Sequence, residues 1–466
     1  MLRASAAAQQ TGIPTVSILS TGFLKQAVTV SKGLGVNLAW AEYPGHPLVD
    51  SVTDLRAKVE KFLMPAIISA LTAPKEAFVP AALTNAEPEP GSVVFSGTLA
   101  QVQEHFHRKL WSDGLPVIPP THEAVEEFLA FSPRHRDDIL GVLAQEGREA
   151  SVLSVAVNGV MAGCRPEYMP LLLAIVEVIS VPEFRVEDAG STPSWEPLII
   201  VSGPIIKQLD LNFGQGVMKI GRQANTSIGR FLRLYLRNIC GYRIPHGDGD
   251  KGSIGLSFNV ALAEDEDTAR QLGWSTFGAD RGYAADQNLV TVTSVVCISP
   301  PAYSSGSDAI SHVRHIVEVL SIAFSTWAFT GLRKGIWHPL LILSPAVADV
   351  IAKEWGKDDI RQYFWQHATL SARLMEQYAM PASGMPLELE RLVAEGILPP
   401  DYTESADPER QLRMLVKPEH LCIVVAGDPG RNQSRGYMPN HNQGFMTSRP
   451  IVLPAQWERL LAEKSD

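Results

Sequence analysis

The chain has 466 residues, of which 45% are hydrophobic and 19% are charged, and its formal net charge is −10. This composition is typical of an ordinary soluble protein, and the length predicts more than one domain. Binding to nucleic acid or to an anionic membrane needs a basic surface, so the negative charge argues against both partners. No stretch reaches the roughly 18 uninterrupted apolar residues of a membrane-spanning helix.

Residues 14–72 alternate between β-rich runs and helical patterns. PTVSIL and VNLAWAEY are predicted strands, a helix is predicted from Thr21 to Leu34, and a long helix follows HPLVD. Strand–helix–strand–helix at this spacing predicts parallel pairing with a right-handed crossover. We therefore predict a small parallel α/β domain over residues 1–72 and a Pro/Ala/Glu-rich linker over residues 73–94. Two strands make a poor sheet, so this domain is expected to lack part of its own sheet or to borrow strands.

The remaining chain predicts one large mixed α/β domain over residues 95–466, so the fold class is α/β. We see no repeat of fixed period. Helices are predicted at 98–110, 121–131, 151–162, 166–180, 221–239, 308–325, 345–355 and 358–379. Strands are predicted at 196–203, 255–262, 288–299, 339–344 and 421–427.

The first functional candidate is the junction NGVMAGCRPEYMPLL, where one helix ends and the next begins. A cysteine beside an arginine at a helix N-terminus can have a lowered pKa and act as a nucleophile, which makes Cys164 a candidate catalytic residue and Arg165 a candidate substrate ligand. A buried, inert cysteine is the alternative, and Glu167 is expected to cap the helix.

The strongest functional signal is GRQANTSIGRFLRLYLRN, residues 221–238. On a helical wheel, Arg222, Arg230, Arg233 and Arg237 fall within about 80° of one another, opposite an apolar face. Arginines near a helix start suit an anion, with Asn225 adding a hydrogen-bonding group. The alternative is a solvated arginine face of an ordinary amphipathic helix.

The glycine-rich turn after this helix carries His246, Asp248 and Asp250. Imidazole and carboxylate groups can bind a divalent metal, or His246 and Asp248 can supply a catalytic acid or base. An acidic turn that neutralises the arginines explains the same residues equally well.

A further anion contact is predicted in VVAGDPGRNQSRGYMPNHNQ, a strand followed by a glycine-containing loop. Arg431 and Arg435 suit a phosphate or a carboxylate, and His441 is a candidate acid or base. The chain contains no dinucleotide- or triphosphate-binding motif and no GxSxG or HExxH motif.

The four cysteines are far apart in the sequence and form no CxxC pair or metal-type spacing. This usage predicts a reduced, cytoplasmic protein without a disulfide framework.

Several of these segments resemble the bacterial UGSC-type (seleno)proteins, a family with a selenocysteine-Gly-Ser-Cys motif. The similar pieces are WSDGLPVIPPT, AGCRPEY, GRQANTSIGRFLRLYLRN, and the N-terminal GIPTVSILSTGFLKQAVTVSKGLG with YPGHPLVD. The family motif precedes the segment that matches GIPTV, and MLRASAAAQQT has no cysteine. The resemblance therefore implies either that this chain starts after the first strand and motif, or that it belongs to a branch without that centre.

Two functions follow as expectations. One is an oxidoreductase or lyase acting on a small anionic molecule, in which the resemblance implies thiol redox or carbon–heteroatom bond chemistry. The other is a non-catalytic or degenerate subunit that pairs with another chain, or with a second copy, through its N-terminal unit, because exposed strand edges favour such pairing.

Overall fold

The computed structural model describes residues 2–24, 27–28, 31, 36–47, 49–72, 89–143, 147–188, 195–244, 255–440 and 444–465. The chain has an α/β fold with 46% helix and 15% strand, which confirms the predicted fold class. It forms two compact units. Unit 1 comprises residues 1–116, 139–151 and 235–251, and unit 2 comprises residues 117–138, 152–234 and 252–466. Residues 73–88 of the predicted linker lie outside the described residues, so the predicted domain boundary at residues 73–94 stays a prediction.

The strands of the described residues are β1 (Ser17–Ser20), β2 (Trp40–Tyr43), β3 (Ile139–Leu143), β4 (Arg148–Ser151), β5 (Glu196–Ser202), β6 (Leu262–Ala263), β7 (Leu289–Val295), β8 (Cys297–Ile298), β9 (Ala302–Tyr303), β10 (Leu340–Leu343), β11 (Thr369–Ser371), β12 (Gln411–Arg413), β13 (Cys422–Val425), β14 (Gln433–Met438) and β15 (Thr447–Pro450). The α-helices are α1 (Leu2–Gln10), α2 (Val52–Lys58), α3 (Met64–Thr72), α4 (Leu99–Arg108), α5 (His122–Ala130), α6 (Val152–Ala162), α7 (Met169–Ser180), α8 (Ile205–Gln208), α9 (Gln223–Asn238), α10 (Glu266–Gln271), α11 (Phe277–Asp280), α12 (Ala309–Phe324), α13 (Ala328–Lys334), α14 (Pro345–Ala352), α15 (Lys357–His367), α16 (Ala372–Ser383), α17 (Leu389–Ala394) and α18 (Trp457–Ser465).

Unit 1 contains the predicted parallel pair, β1 and β2. α2 and α3 are joined by a π-helical turn, Val59–Leu63, into one helical run. This run packs on β2, where Leu63 lies in a small buried cluster with Ala41 and Tyr43. A sheet of two strands buries little apolar area, so the small size of this core agrees with the expectation that the domain is short of strands.

Unit 2 contains two sheets with the same arrangement of strands. In the first, of order β15-β7-β5-β6, the strand β5 is parallel to β6 and antiparallel to β7. In the second, of order β13-β10-β14-β8 with β9 also on β14, the strand β10 is parallel to β13 and antiparallel to β14. Strands β10, β13 and β14 therefore repeat β5, β6 and β7 in chain order and in direction.

The two sheets exchange their last strands. β8 follows β7 after a single residue, Val296, but it pairs with β14 of the second sheet. β15 follows β14 in the chain, but it pairs with β7 of the first sheet. Because each sheet takes a strand from the other half of the unit, neither sheet is complete alone.

The amino-acid sequence is also similar between the two sets of strands. Residues 195–202 read WEPLIIVS and residues 337–344 read WHPLLILS, and each segment contains a central strand. The helices ahead of them contain IVEVIS at 175–180 and IVEVLS at 316–321. α7 packs on β7 and β15, and α12 packs on β14, β8 and β9. We call Cys164–Ile298 repeat A and Ser304–Pro450 repeat B. The sequence shows no repeat of fixed period, and this twofold duplication was not predicted.

Each repeat contains an equivalent pair of aromatic side chains with the same packing geometry. Phe184 meets Trp195 edge to face with 5.6 Å between ring centroids, and Phe324 meets Trp337 in the same manner at 6.1 Å. All four side chains are buried. Such pairs add about 0.5–1.5 kcal/mol to the burial of the rings, so the two repeats share a stabilising contact as well as a topology.

The inner faces of the two sheets meet in one core. Leu198 and Ile200 of β5 lie in the same buried cluster as Leu340 and Ile342 of β10. The alternate residue Leu341 belongs instead to the cluster that contains the buried face of α12. Since successive strand residues face opposite sides, the sheets pack face to face and helices cover their outer faces.

The strand predicted at 255–262 is reduced to β6. The preceding residues run beside α9, where the side chain of Asn225 donates to the carbonyl of Ala261 at 2.9 Å. Gly229 permits this approach, because a Cβ there would lie 2.5 Å from the carbonyl carbon of Asn259. The contact with the helix takes the place of strand pairing.

The helix predicted at 358–379 is also divided, into α15 and α16. The residues between them, Thr369–Ser371, form β11 and pair antiparallel with β12. Ser371 then caps α16, since its hydroxyl accepts the N–H of Leu374.

One helical run among the described residues, Ala309–Lys334, is long and apolar enough to cross a membrane by length and composition alone. Half of its most apolar window is buried inside the protein. The run comprises α12 and α13, and residues such as Leu320 and Phe329 lie in the core beneath the second sheet. Apolar side chains of this helical run thus pack in the protein core.

A buried ion network joins the two repeats. The carboxylate of Asp280 from repeat A contacts Lys357 at 3.0 Å and Arg361 at 2.8 Å, both on α15 of repeat B. Glu264 lies 3.9 Å from Lys357 and accepts the backbone N–H of Phe277 at 2.7 Å. Burial raises the pKa of Glu264 from 4.5 to about 8, against the opposing effect of Lys357. The carboxyl of Glu264 is therefore protonated in the folded protein at neutral pH.

This shift predicts a pH-dependent stability. In the unfolded chain Glu264 ionises near pH 4.5, so the stability that its raised pKa provides is complete below pH 4.5 and is lost as pH rises to about 8. Glu264→Gln removes the titrating proton. We expect the melting temperature of the variant, relative to wild type, to increase steadily between pH 5 and pH 8 in calorimetry. The exposed Glu318→Gln is the matched control, and parallel curves for Glu264→Gln and wild type would contradict the assignment.

Candidate functional site

The predicted arginine helix is present as α9. Ile228, Phe231, Leu232 and Tyr235 are fully or almost fully buried, which confirms the predicted apolar face. The helix contributes residues through Leu234 to unit 2, and its last residues to unit 1.

The arginines of α9 do not form one shared anion clamp. Arg222 is paired with Asp210, and Arg233 is paired with Glu196, whose side chain is only 5% exposed. A guanidinium that neutralises a buried carboxylate is committed to the fold, because removing it would leave an uncompensated charge. Arg233 therefore has a structural partner, and its role as a substrate ligand stays a prediction.

Arg237 also has a structural partner, within unit 1. Its Nε donates to the carbonyl of Leu110 at 2.8 Å. Burial lowers the pKa of Arg237, with Arg243 acting in the same direction and Asp113 opposing it. The side chain thus holds the WSDGLP segment that follows α4.

Asn225 is likewise part of the fold. Its side-chain oxygen accepts the N–H of Asn212 at 2.7 Å, and its amide nitrogen donates to the carbonyls of Asn212 and Ala261, both at 2.9 Å. The residue is 1% exposed. The side chain ties two chain segments to α9 and has no access to a ligand, so the prediction that it binds substrate is wrong.

Two predicted segments do come together, at the start of α7 and the first turns of α9. Cys164 follows Gly163, whose φ of +79° ends α6. Ser227 and Arg230 of α9 lie close enough to Cys164 to favour its thiolate. Burial nevertheless dominates and raises the pKa of the Cys164 thiol from 9.0 to about 12. The predicted lowering of this pKa is wrong, because burial of the thiol outweighs the opposing effects of Ser227 and Arg230.

Arg165 and Glu167 form an ion pair at the same junction, and Glu167 is 5% exposed. Glu167 lies in the 3₁₀ turn that leads into α7, where it was expected to cap the helix. One carboxylate oxygen of Glu167 is buried without a hydrogen-bond partner among the described residues. The hydroxyl of Ser227, in contrast, lies in hydrogen-bonding contact with the thiol of Cys164. A buried oxygen without a partner is costly, so the Glu167 oxygen points to a missing partner.

The groups that influence the pKa of Tyr168 identify the ionisable residues near this junction. Burial raises its pKa, and Arg165, Glu167, Cys164 and Asp210 all act on it. We call this group the junction site, and it comprises Cys164, Arg165, Glu167, Tyr168, Asp210, Arg222, Ser227 and Arg230. The cysteine, the glutamate, the tyrosine and the serine of this group are buried, whereas Arg165 and Arg222 are about half exposed.

The loop after β13 is not part of this group. Arg431 is 76% exposed and lies 3.8 Å from Asp428, its neighbour in the same loop. A solvated pair of this kind contributes little energy and defines no enclosed site. Arg435 lies on β14, and His441 lies outside the described residues.

The predicted metal ligands His246, Asp248 and Asp250 also lie outside the described residues. Within the part of the chain that the structure describes, no three His, Cys, Asp or Glu side chains are placed to hold a metal ion.

Sequence reasoning missed two neighbouring histidines in repeat B, the buried His420 and the partly buried His338. Burial lowers the pKa of His338 to about 4, and its Nδ1 lies 3.3 Å from the carbonyl of His420. His338 and Thr293 line a cavity of about 10 Å³, which has room for about one water molecule. A groove of about 520 Å³ is lined by residues of α16 and α17, including Glu376, Met380 and Glu390. None of the residues that line these cavities belongs to the junction site.

Comparison with known proteins gives no match. No protein-family model fits the chain, and no curated protein or solved structure shows significant similarity to it.

Proposed function

We propose that this protein is a cytoplasmic enzyme that acts on a small anionic molecule bound at the junction site. The observation that carries the proposal is the buried, unpartnered carboxylate oxygen of Glu167, at a junction that also contains Arg165, Arg222 and Arg230. Arg165 and Arg222 would contact the anion from the exposed side, and Arg230 from α9. The first turn of a 16-residue helix adds backbone donors.

Each residue would have a distinct role. The pair of Arg222 with Asp210 is largely solvated, so a substrate anion could replace Asp210 at small cost. Ser227 would donate to the substrate, while the free oxygen of Glu167 would accept a hydroxyl or amine of the same molecule. The site thus suits a compound that carries both an anionic group and a hydrogen-bond donor.

The resemblance to the UGSC-type proteins suggests two reaction classes. Thiol redox chemistry needs a thiolate, and the burial of Cys164 opposes its formation. Carbon–heteroatom bond chemistry has no such requirement, so we favour a lyase-type reaction. All four cysteines are free thiols, which supports a reducing compartment.

The anion contact is tested by Arg230→Ala, with inorganic phosphate as the probe. We expect phosphate to raise the melting temperature of wild type and to have no such effect on the variant, because a linked ligand stabilises only the form that binds it. Arg314→Ala, an exposed arginine on α12, is the matched control and should respond as wild type does. An equal phosphate response in Arg230→Ala would contradict the proposal, and an unfolded variant would assign Arg230 to the fold.

A second candidate is a non-catalytic subunit that pairs through unit 1. Met64, Ile68 and Leu71 are 44–57% exposed and recur at helical spacing on α3, on top of an isolated two-stranded sheet. An exposed apolar stripe of this kind is typical of a helix that packs on a partner.

Light scattering after size-exclusion chromatography tests this candidate. It predicts a mass above the 50.8 kDa of one chain, and a return to one chain in Ile68→Glu, because a charge cannot be buried in an apolar contact. Ile322→Glu, at a site that is 78% exposed on α12, should leave the mass unchanged. A wild-type protein of single-chain mass would exclude self-pairing.

A further inference from the structure

The repeat places a second loop at the position of the junction site. In repeat A, the segment Cys164–Tyr168 leads into α7. When IVEVIS is matched with IVEVLS, the segment Ser305–Ala309 at the start of α12 takes the same place in repeat B. Glu167 is then matched by Asp308, so each repeat has an acidic residue at the start of this helix.

The loop in repeat B holds a serine against a buried histidine. The hydroxyl of Ser304 lies 2.7 Å from Nδ1 of His312, and Nε2 of His312 lies 3.1 Å from the carbonyl of Gly306. A carbonyl can only accept, so in the neutral imidazole the proton is on Nε2. Nδ1 is therefore the basic nitrogen, and the hydroxyl of Ser304 donates to it.

The backbone fixes this tautomer. Gly306 has a φ of +146°, and a Cβ there would lie 2.4 Å from Cβ of Ser311. Only glycine fits so close to the helix, and this approach holds its carbonyl under the histidine ring. Asp308 caps α12, because its carboxylate accepts the N–H of Ser311 at 2.9 Å.

We propose that Ser304 and His312 are a nucleophile and general base that cleave carboxylic esters. A nucleophile, a base in hydrogen-bond contact and a group that orients the base are the parts that such chemistry requires. Oγ of Ser304 bonds to the carbonyl carbon while its proton moves to Nδ1 of His312. The ester C–O bond breaks, and the leaving alcohol takes that proton. Water then attacks the acyl-serine, gives a proton to His312, and releases the acid as the serine hydroxyl is restored.

A substrate would reach Ser304 through the loop that precedes α12. Ser304 is 5% exposed, but Ser305 and Ser307 are exposed and make no hydrogen bond or ion pair with any other described residue. Because Ser304 is buried, an ester reaches its hydroxyl only when this loop is displaced, and no hydrogen bond of Ser305 or Ser307 to another described residue opposes that displacement.

A biotinylated fluorophosphonate tests the pair in the full-length protein, because it reacts with an activated serine by loss of fluoride. We expect one adduct per chain, mapped by mass spectrometry to Ser304. Ser304→Ala should take no adduct, and His312→Gln should react at least about 100-fold more slowly, which is the usual effect of losing a general base. Ser307→Ala, in the same loop, should react as wild type does.

Absence of an adduct on wild type would overturn the proposal, and so would labelling of Ser304→Ala at the wild-type rate. The His312 variant removes a buried ring and can fail to fold, which its melting curve would reveal. In that case hydrolysis of p-nitrophenyl acetate decides, since Ser304→Ala changes only one hydroxyl and should lose the activity that Ser307→Ala keeps.

Discussion

The exchange of strands between the two sheets is the constraint on which unit 2 depends. β8 belongs by sequence to repeat A and by hydrogen bonding to repeat B, and β15 shows the reverse. A strand edge without its partner leaves a row of unsatisfied backbone groups, so each half of the unit needs the other. The shared core between the sheets and the ion network of Asp280 with Lys357 and Arg361 act across the same boundary.

This arrangement also explains where the chemistry-bearing side chains lie. Both repeats begin with a loop, a helix and a central strand, and the residues free to vary are those of the loop. In repeat A this loop carries Cys164 and Glu167 beside α9. In repeat B it carries Ser304 against His312. The helix and strand behind each loop are rigid, which is the setting in which loop residues hold a defined geometry. The two equivalent positions thus carry different side chains.

Local pattern was sufficient to predict much of the fold. The buried face of α9 and the central strands β5 and β10 are regular apolar patterns that need no knowledge of their partners. The pairing of Glu196 with Arg233 was not predictable, since it joins residues of separate elements that meet only after folding. Asn225 was misread for the same reason, because a polar residue on a helix face looks alike whether it binds a ligand or a backbone carbonyl.

The pKa of Cys164 could not be predicted from the sequence, whereas the repeat could have been. The pKa of Cys164 depends on burial, which overrides the arginine and serine beside it and is invisible in a string of residues. The repeat, in contrast, was visible in advance. WEPLIIVS matches WHPLLILS and IVEVIS matches IVEVLS, with a one-residue insertion between the two segments in the second copy. Their separation exceeds the period of the short solenoid repeats for which a sequence is usually searched.

Native-state hydrogen exchange in low denaturant tests the strand exchange most directly. If each sheet depends on a strand from the other, the amides of β7 and of β14 should open with the same free energy and the same dependence on denaturant. Earlier opening of β7, while β14 stays protected, would show that the two repeats are independent folding units and would contradict the account.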